Sequence, residues 1–275
     1  MRWIFILTSL LQLAACTNPP WPRGSMEELY PLSEHRPKLR SVQVSGLDIQ
    51  VASTTGKGTT PIVFVHGSPG GWQAWARFLD TPALAGFGPR LAMDRPGFGG
   101  SGTAGVMPDL RRQAQVLASL IPPGPPAVLV GHSLGGPLIA WMAIDHPEKV
   151  CGGVMLAGSM APELEAPRWY NHLADNWLAR QFLPQDMSLS NREMMVLGDE
   201  LRRLDAALPQ LRRPMIAMQG DKDPLVDPRT ADYLEQRAPS QWMRVERLPG
   251  KDHFFLWTEP ESVVSQIDSL DCTMR

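Results

Sequence analysis

The chain has 275 residues, 43% of them hydrophobic, and its 26 basic and 28 acidic side chains leave a formal net charge of −2. That length and apolar content suffice for one closed core, and an α/β sheet uses such a length as a single domain. The near-neutral balance removes the electrostatic case for a nucleic-acid partner or any strongly charged one.

At the start of the chain, Arg2 precedes an apolar run from Trp3 to Leu13, the layout of a secretory signal and too short to span a bilayer comfortably. Leu13-Ala14-Ala15-Cys16 follows and resembles the lipobox of bacterial lipoproteins. The resemblance implies removal of residues 1–15, a diacylglycerol on the Cys16 thiol, and a lipidated tether over 16–40 that holds a catalytic domain at 41–275 to an envelope membrane. Acyl chains on Cys16 would anchor it firmly through buried CH₂ groups. Thr17 stands where an Asp signals inner-membrane retention in many such lipoproteins, which favours the outer membrane. The plainer alternative is an ordinary cleaved signal with an incidental Cys.

From Val42 onward, strand-like and helix-like segments alternate, the pattern of a largely parallel sheet covered on both faces. Ser41 to Val44 and Leu47 to Val51 read as a hairpin turning at Gly46. Pro61 to Val65 and Ala127 to Val130 are continuous apolar runs, as expected of strands buried on both faces. Between them, Met107, Leu110, Ala114, Leu117 and Ile121 recur at helical spacing. Gly152 to Leu156, Met215 to Gln219 and Met243 to Leu248 supply later strands. Asp227-Pro228 and Thr258-Glu259-Pro260-Glu261 signal helix starts, the second with capping-box spacing. The stretch from Ser159 to Arg213 breaks this rhythm and reads as a small, mainly helical cap that shapes a pocket, the alternative being a surface excursion that touches no substrate.

The apolar strand ending at Val130 runs into Gly131-His132-Ser133-Leu134-Gly135 and then a helical run, the sequence and context of a G-x-S-x-G nucleophile elbow. With it, His66-Gly67-Ser68-Pro69-Gly70, the turn from Asp94 to Ser101, Gly220-Asp221-Lys222-Asp223 and the late Gly250-Lys251-Asp252-His253-Phe254 resemble the α/β-hydrolase superfamily over residues 42–270. The resemblance implies a mostly parallel sheet of about eight strands, helices on both faces and a small helical cap. It also implies Ser133 as nucleophile, His253 as base and Asp223 as the carboxylate that orients it, in the superfamily's chain order. Asp221 and Asp227 are the rival acids. Backbone N–H groups of Leu134 and Ser68 would form the oxyanion hole. Asp252 departs from the Gly many members place before the His. The turn at Asp94 to Ser101 and the rings of His66 and His132 read as structural.

Chemistry agrees with these roles. A Ser hydroxyl needs a base to take its proton, and imidazole titrates near neutrality and can return that proton to a leaving group. No zinc-like Cys/His cluster or phosphate loop is present, so neither metal nor cofactor is expected. The expected activity is hydrolysis of a small acyl compound, foremost a carboxylic ester. The alternatives are a C–C bond hydrolase or a prolyl-aminopeptidase-like enzyme, the latter favoured by cap acids such as Glu163 and Glu165, and a membrane-tethered binding protein without turnover. Cys151 and Cys272 are either a disulfide or two free thiols.

Overall fold

The computed structural model describes residues 24–105, 107–270 and 272; the Arg2 to Leu13 run, Cys16 and Thr17 lie outside them. The strands are β1 (Lys38–Val44), β2 (Leu47–Thr54), β3 (Ile62–Val65), β4 (Arg90–Met93), β5 (Ala127–His132), β6 (Val150–Leu156), β7 (Met215–Gly220) and β8 (Met243–Leu248). They form one eight-stranded sheet in the order β1-β2-β4-β3-β5-β6-β7-β8. Strand β2 runs antiparallel to β1 and β4, and all other neighbours are parallel. The hairpin forms as read: Ser45 and Gly46 take φ of 52° and 79°, a two-residue turn that sets Val44 opposite Leu47.

Alternation along the central strands divides the core into two layers. Ile62, Phe64, Val128 and Val130 enter one, while Val63, Val65, Ala127 and Leu129 enter the other. Each strand is therefore apolar on both faces, which is why these segments read as continuous hydrophobic runs. Helix α1 (Leu110–Ser119) is shorter than its periodicity because the Asp109 side chain accepts from Arg112 N at 2.8 Å and fixes the N-terminus after Met107. Helix α2 (Gly135–Asp145) is buried from Gly135 through Ala143, as an element apolar on all sides must be.

Between β6 and β7 stand α3 (Trp169–Ala174), α4 (Trp177–Arg180) and α5 (Gln185–Ala207). The second half of α5 joins the body, since Leu197, Leu201 and Leu204 pack into the layer of α1 and α2. Helices α6 (Thr230–Arg237) and α7 (Pro260–Asp268) complete the cover. The capping box at Thr258 does not form. Thr258 closes the preceding short helix Phe255–Thr258, and its hydroxyl donates back to Phe255 O at 3.3 Å. Asp227 accepts from Arg229 N at 2.9 Å in the turn before α6, which starts at Thr230, rather than serving as its N-cap. No helix among the described residues is long and apolar enough to cross a membrane.

Cys151, at the start of β6, and Cys272, beyond α7, form a disulfide with Cα atoms 5.2 Å apart, within the range the bond requires. It joins residues 121 positions apart. A cross-link over that separation constrains the unfolded chain, so Cys272→Ser is expected to lower unfolding free energy by about 2–4 kcal/mol. Urea unfolding of the oxidised protein and the variant checks this, and coincident curves would remove the disulfide from the stability account.

Candidate active site

The connection from β3 goes to β4 on one side of it, and the next strand, β5, lies on the other. Ligands of open parallel sheets bind at such a reversal, outside the carboxyl ends of the strands. Ser133 follows β5 directly, with φ of 54°, a left-handed conformation that strains a residue bearing a Cβ. The backbone holds it there. Ser133 N donates to Leu156 O at 2.9 Å, and Ser133 O accepts from Gly136 N at 2.9 Å and Ser159 N at 3.3 Å. The glycines at the turn have a steric cause: a Cβ on Gly131 would lie 2.3 Å from Gly135 O. The loop after β3 also comes close, for a Cβ on Gly67 would stand 2.9 Å from the Ser133 Cβ.

Asp223 and His253 come from the loops after β7 and β8. His253 Nδ1 lies 2.8 Å from Asp223 Oδ2, with side chains 4% and 0% exposed. The carboxylate is otherwise saturated: Oδ1 accepts from Leu225 N at 2.8 Å and Val226 N at 2.9 Å, and Oδ2 from Gln219 Nε2 at 3.2 Å. Such a carboxylate is fixed in place and orients whatever it bonds. The rival acids are occupied elsewhere. Asp221, which is exposed, accepts from Gly250 N at 2.7 Å, and the half-buried Asp227 pairs with Arg229 at 2.6 Å. Asp252, the departure noted before His253, accepts from Phe254 N at 2.8 Å and shapes the turn that presents the imidazole.

Ser133, His253, Ser68 and Gly67 line one cavity of about 250 Å³, walled on its far side by Tyr170, Asn171 and Ala174 of α3 and by Met187, Ser190, Asn191 and Met194 of α5. Among the described residues no hydrogen bond yet joins the Ser133 hydroxyl to the imidazole, a contact that in unliganded sites is commonly long and tightens around substrate. Leu134 is buried at the N-terminus of α2 and does not line the cavity with its side chain.

Two further His rings support the site as neutral scaffolding. Burial, followed by the nearby Arg95 charge, holds His66 well below its ordinary pKa. Its Nε2 accepts from Arg95 N at 2.9 Å, which leaves the proton on Nδ1 for Gly67 O at 2.7 Å. Burial, then His253, lowers His132 likewise. Its Nε2 lies 3.1 Å from His253 O, and the two rings are 4.6 Å apart between centroids.

An ion pair that sequence reading did not identify lies behind Ser68. Arg95 Nη1 and Nη2 donate to Glu193 Oε1 at 2.7 Å and Oε2 at 2.9 Å, and the side chains are 0% and 1% exposed. Arg95 also donates to Gln113 Oε1 at 2.9 Å and Gly67 O at 3.0 Å. Gln113 Nε2 donates to Glu193 Oε1 at 2.9 Å. The Ser68 hydroxyl donates to Glu193 Oε2 at 2.5 Å. The loop after β3 is thus clasped to α5. The signal was in the sequence, since Glu193 occupies the apolar stripe Leu189, Leu197, Leu201, Leu204 at three- and four-residue spacing, where a charge must find a counter-ion.

Glu165 also lines the cavity. Among the described residues its buried Oε1 has no hydrogen-bond partner. Burial pushes its carboxyl up to about 7, against a hydrogen bond from Ser159 and the Arg168 charge and with Asp223 and Asp227 reinforcing the rise. The unfolded carboxyl releases its proton near 4.5, so between there and about 7 the folded state binds more protons and loses stability as pH rises. Glu165→Gln should abolish a loss on the order of 3 kcal/mol. Urea unfolding at pH 5 and pH 8 measures it, and parallel pH dependence in both proteins would refute the assignment. Glu163, by contrast, is exposed and does not line the cavity.

Residues 62–266 match the alpha/beta hydrolase family. The pimeloyl-(acyl-carrier protein) methyl ester esterase of Klebsiella pneumoniae is 32% identical over 230 residues, covering 79% of this chain and 83% of that one. The biotin biosynthesis bifunctional protein BioHC of Teredinibacter turnerae is 28% identical over 254 residues, covering 76% of this chain and 44% of that longer protein. Among solved structures, a membrane phospholipase A described as a bacterial virulence factor superposes with a TM-score of 0.66 at 19% identity, covering 98% and 97% of the two chains. With this family match over most of its length and the eight-stranded sheet to go with it, the chain belongs to the alpha/beta hydrolase family and is a hydrolase of that fold.

Proposed function

We propose that the protein cleaves a carboxylic ester through an acyl-enzyme on Ser133. The observation that carries this reading is the buried His253–Asp223 pair at 2.8 Å, whose imidazole shares a cavity with Ser133. In the proposed reaction His253 Nε2 takes the hydroxyl proton as Ser133 Oγ attacks the ester carbonyl. Asp223 keeps the other ring proton on Nδ1 and stabilises the imidazolium. Backbone N–H groups of Leu134 and Ser68 receive the oxyanion. The imidazolium then protonates the departing alcohol, and water, deprotonated by the same ring, releases the acid.

The similarity to a methyl ester esterase supports an ester over other acyl compounds. One observation favours a second reading: Glu165 places a carboxyl in the cavity, where it could receive a substrate amine as in an aminopeptidase. A fluorophosphonate probe tests the nucleophile, with labelling expected in the wild type and none in Ser133→Ala; equal labelling of both would end the acyl-enzyme reading. Nitrophenyl esters of rising chain length, run beside amino-acid anilides, separate the substrate classes, and faster anilide cleavage would transfer the assignment to the aminopeptidase reading. For location we propose lipidation at Cys16 and attachment to an envelope membrane, the outer one favoured by Thr17. Globomycin-sensitive processing and the mass of the mature N-terminus test it; an N-terminus without added lipid would overturn it.

A further inference from the structure

Large apolar side chains are scattered singly on most protein surfaces, but here they gather. Trp169, Leu173, Trp177, Leu178 and Phe182 are 64%, 63%, 70%, 51% and 82% exposed, whereas only Leu32 and Leu39 are comparable elsewhere among the described residues. All five fall on α3, α4 and the turn after α4. Helix α3 meanwhile turns Tyr170, Asn171 and Ala174 to the catalytic cavity. One thin layer of chain therefore walls the cavity and carries an apolar outer surface.

We propose that this outer surface docks on the interfacial region of a lipid bilayer, so that the cavity draws amphiphilic ester from the membrane. Charge, position and chain length favour that occupant. The charges within the patch, Asp175 and Arg180, pair with each other, so the surface offers Trp and Leu with little net charge, which suits a zwitterionic headgroup layer. A second copy of the chain seated on α3 and α4 would obstruct the cavity they wall, whereas a lipid layer supplies it. The lipidation proposed at Cys16 would hold the body close, since the chain from Cys16 to Gly24 reaches at most about 29 Å. Docking itself does not depend on Ser133; the ester drawn from the membrane rests on the acyl-enzyme reading.

Full-length protein is mixed with vesicles of dioleoylphosphatidylcholine or of its brominated analogue, whose bromines quench only tryptophans that reach the bilayer. Quenching is expected, and Trp169→Phe with Trp177→Phe, which retains an apolar surface, should reduce the quenched emission by roughly twofold or more. Equal quenching in that variant, or none in the wild type, overturns docking whether or not Cys16 is lipidated, and the N-terminal mass reports the anchor separately. Absence of quenching together with a dimer abolished by Trp169→Ser and Trp177→Ser would assign the surface to a second copy instead. In catalysis, Trp169→Ser, Trp177→Ser and Phe182→Ser combined should slow hydrolysis of a long-chain monoacylglycerol in these vesicles about tenfold and leave soluble nitrophenyl acetate unchanged. An equal loss on both substrates counts against a docking role. No turnover of any ester, with quenching intact, would sink the acyl-enzyme reading and leave docking supported.

Discussion

Ser133→Ala is expected to lower kcat on a nitrophenyl ester by roughly 10⁶-fold, the scale seen when the nucleophile of a cooperating serine hydrolase unit is removed. In the proposed mechanism the imidazole and carboxylate act through the Ser133 hydroxyl, so their retention in the variant rescues nothing. The turn should survive, because its hydrogen bonds are made by the Ser133 backbone N and O and alanine meets the same steric demands at a φ of 54°. Thermal unfolding should thus be nearly unchanged while turnover collapses. Asp223→Asn provides the second measurement. The amide offers Nδ1 a donor or a weaker acceptor, and the resulting tautomer error should cost ~10⁴ in kcat. A Ser133→Ala protein retaining even a hundredth of wild-type turnover would show that another group attacks the substrate.

Glu193→Ala is expected to destabilise the fold by about 3–5 kcal/mol, since it strands the Arg95 cation in a site that excludes water. Arg95 would keep Gln113 and Gly67 O as acceptors, but neither carries charge. The variant also deprives the Ser68 hydroxyl of its acceptor, so the folded enzyme should lose kcat/KM as the loop after β3 loosens against Ser133. The decisive comparison is a double-mutant cycle with Arg95→Met. Removing both charges should cost far less than the sum of the single changes, because no bare charge remains. Urea unfolding supplies all four stabilities, and simple additivity would mean the two side chains do not depend on each other.

The sheet and candidate triad were legible because local chemistry there is uncompromising. The central strands are apolar on both faces, and the elbow needs glycine where Gly131 and Gly135 approach each other. Strand β4 was not read as a strand from its own residues: Arg90–Met93 is short and opens on an arginine whose charge is met by the Thr81 and Thr55 carbonyls, 9 and 35 residues away. The boundary of the helical insertion blurred for a related reason. Helix α5 is continuous, and only tertiary packing divides its cavity-lining first half from Leu197, Leu201 and Leu204 in the core. Arg95 stood inside a motif read as a turn, and its partner Glu193 lies 98 residues away, beyond the range of any local pattern. The failed capping box at Thr258 shows the reverse: correct spacing yields when a preceding helix claims the hydroxyl.

The clasp between Arg95 and Glu193 also governs how a substrate could get in. Helix α5 is moored twice, by this ion pair near its middle and by leucines sunk in the core toward its end, so swinging it outward would expose a bare guanidinium and tear apolar packing together. Less resists a shift of α3 and α4: they contain no fully buried side chain, and α3 is tied to α5 by the hydrogen bonds between Asn171 and Asn191. Room for a bulky substrate would then come from the outer layer, while the floor on which Ser68 rests stays still.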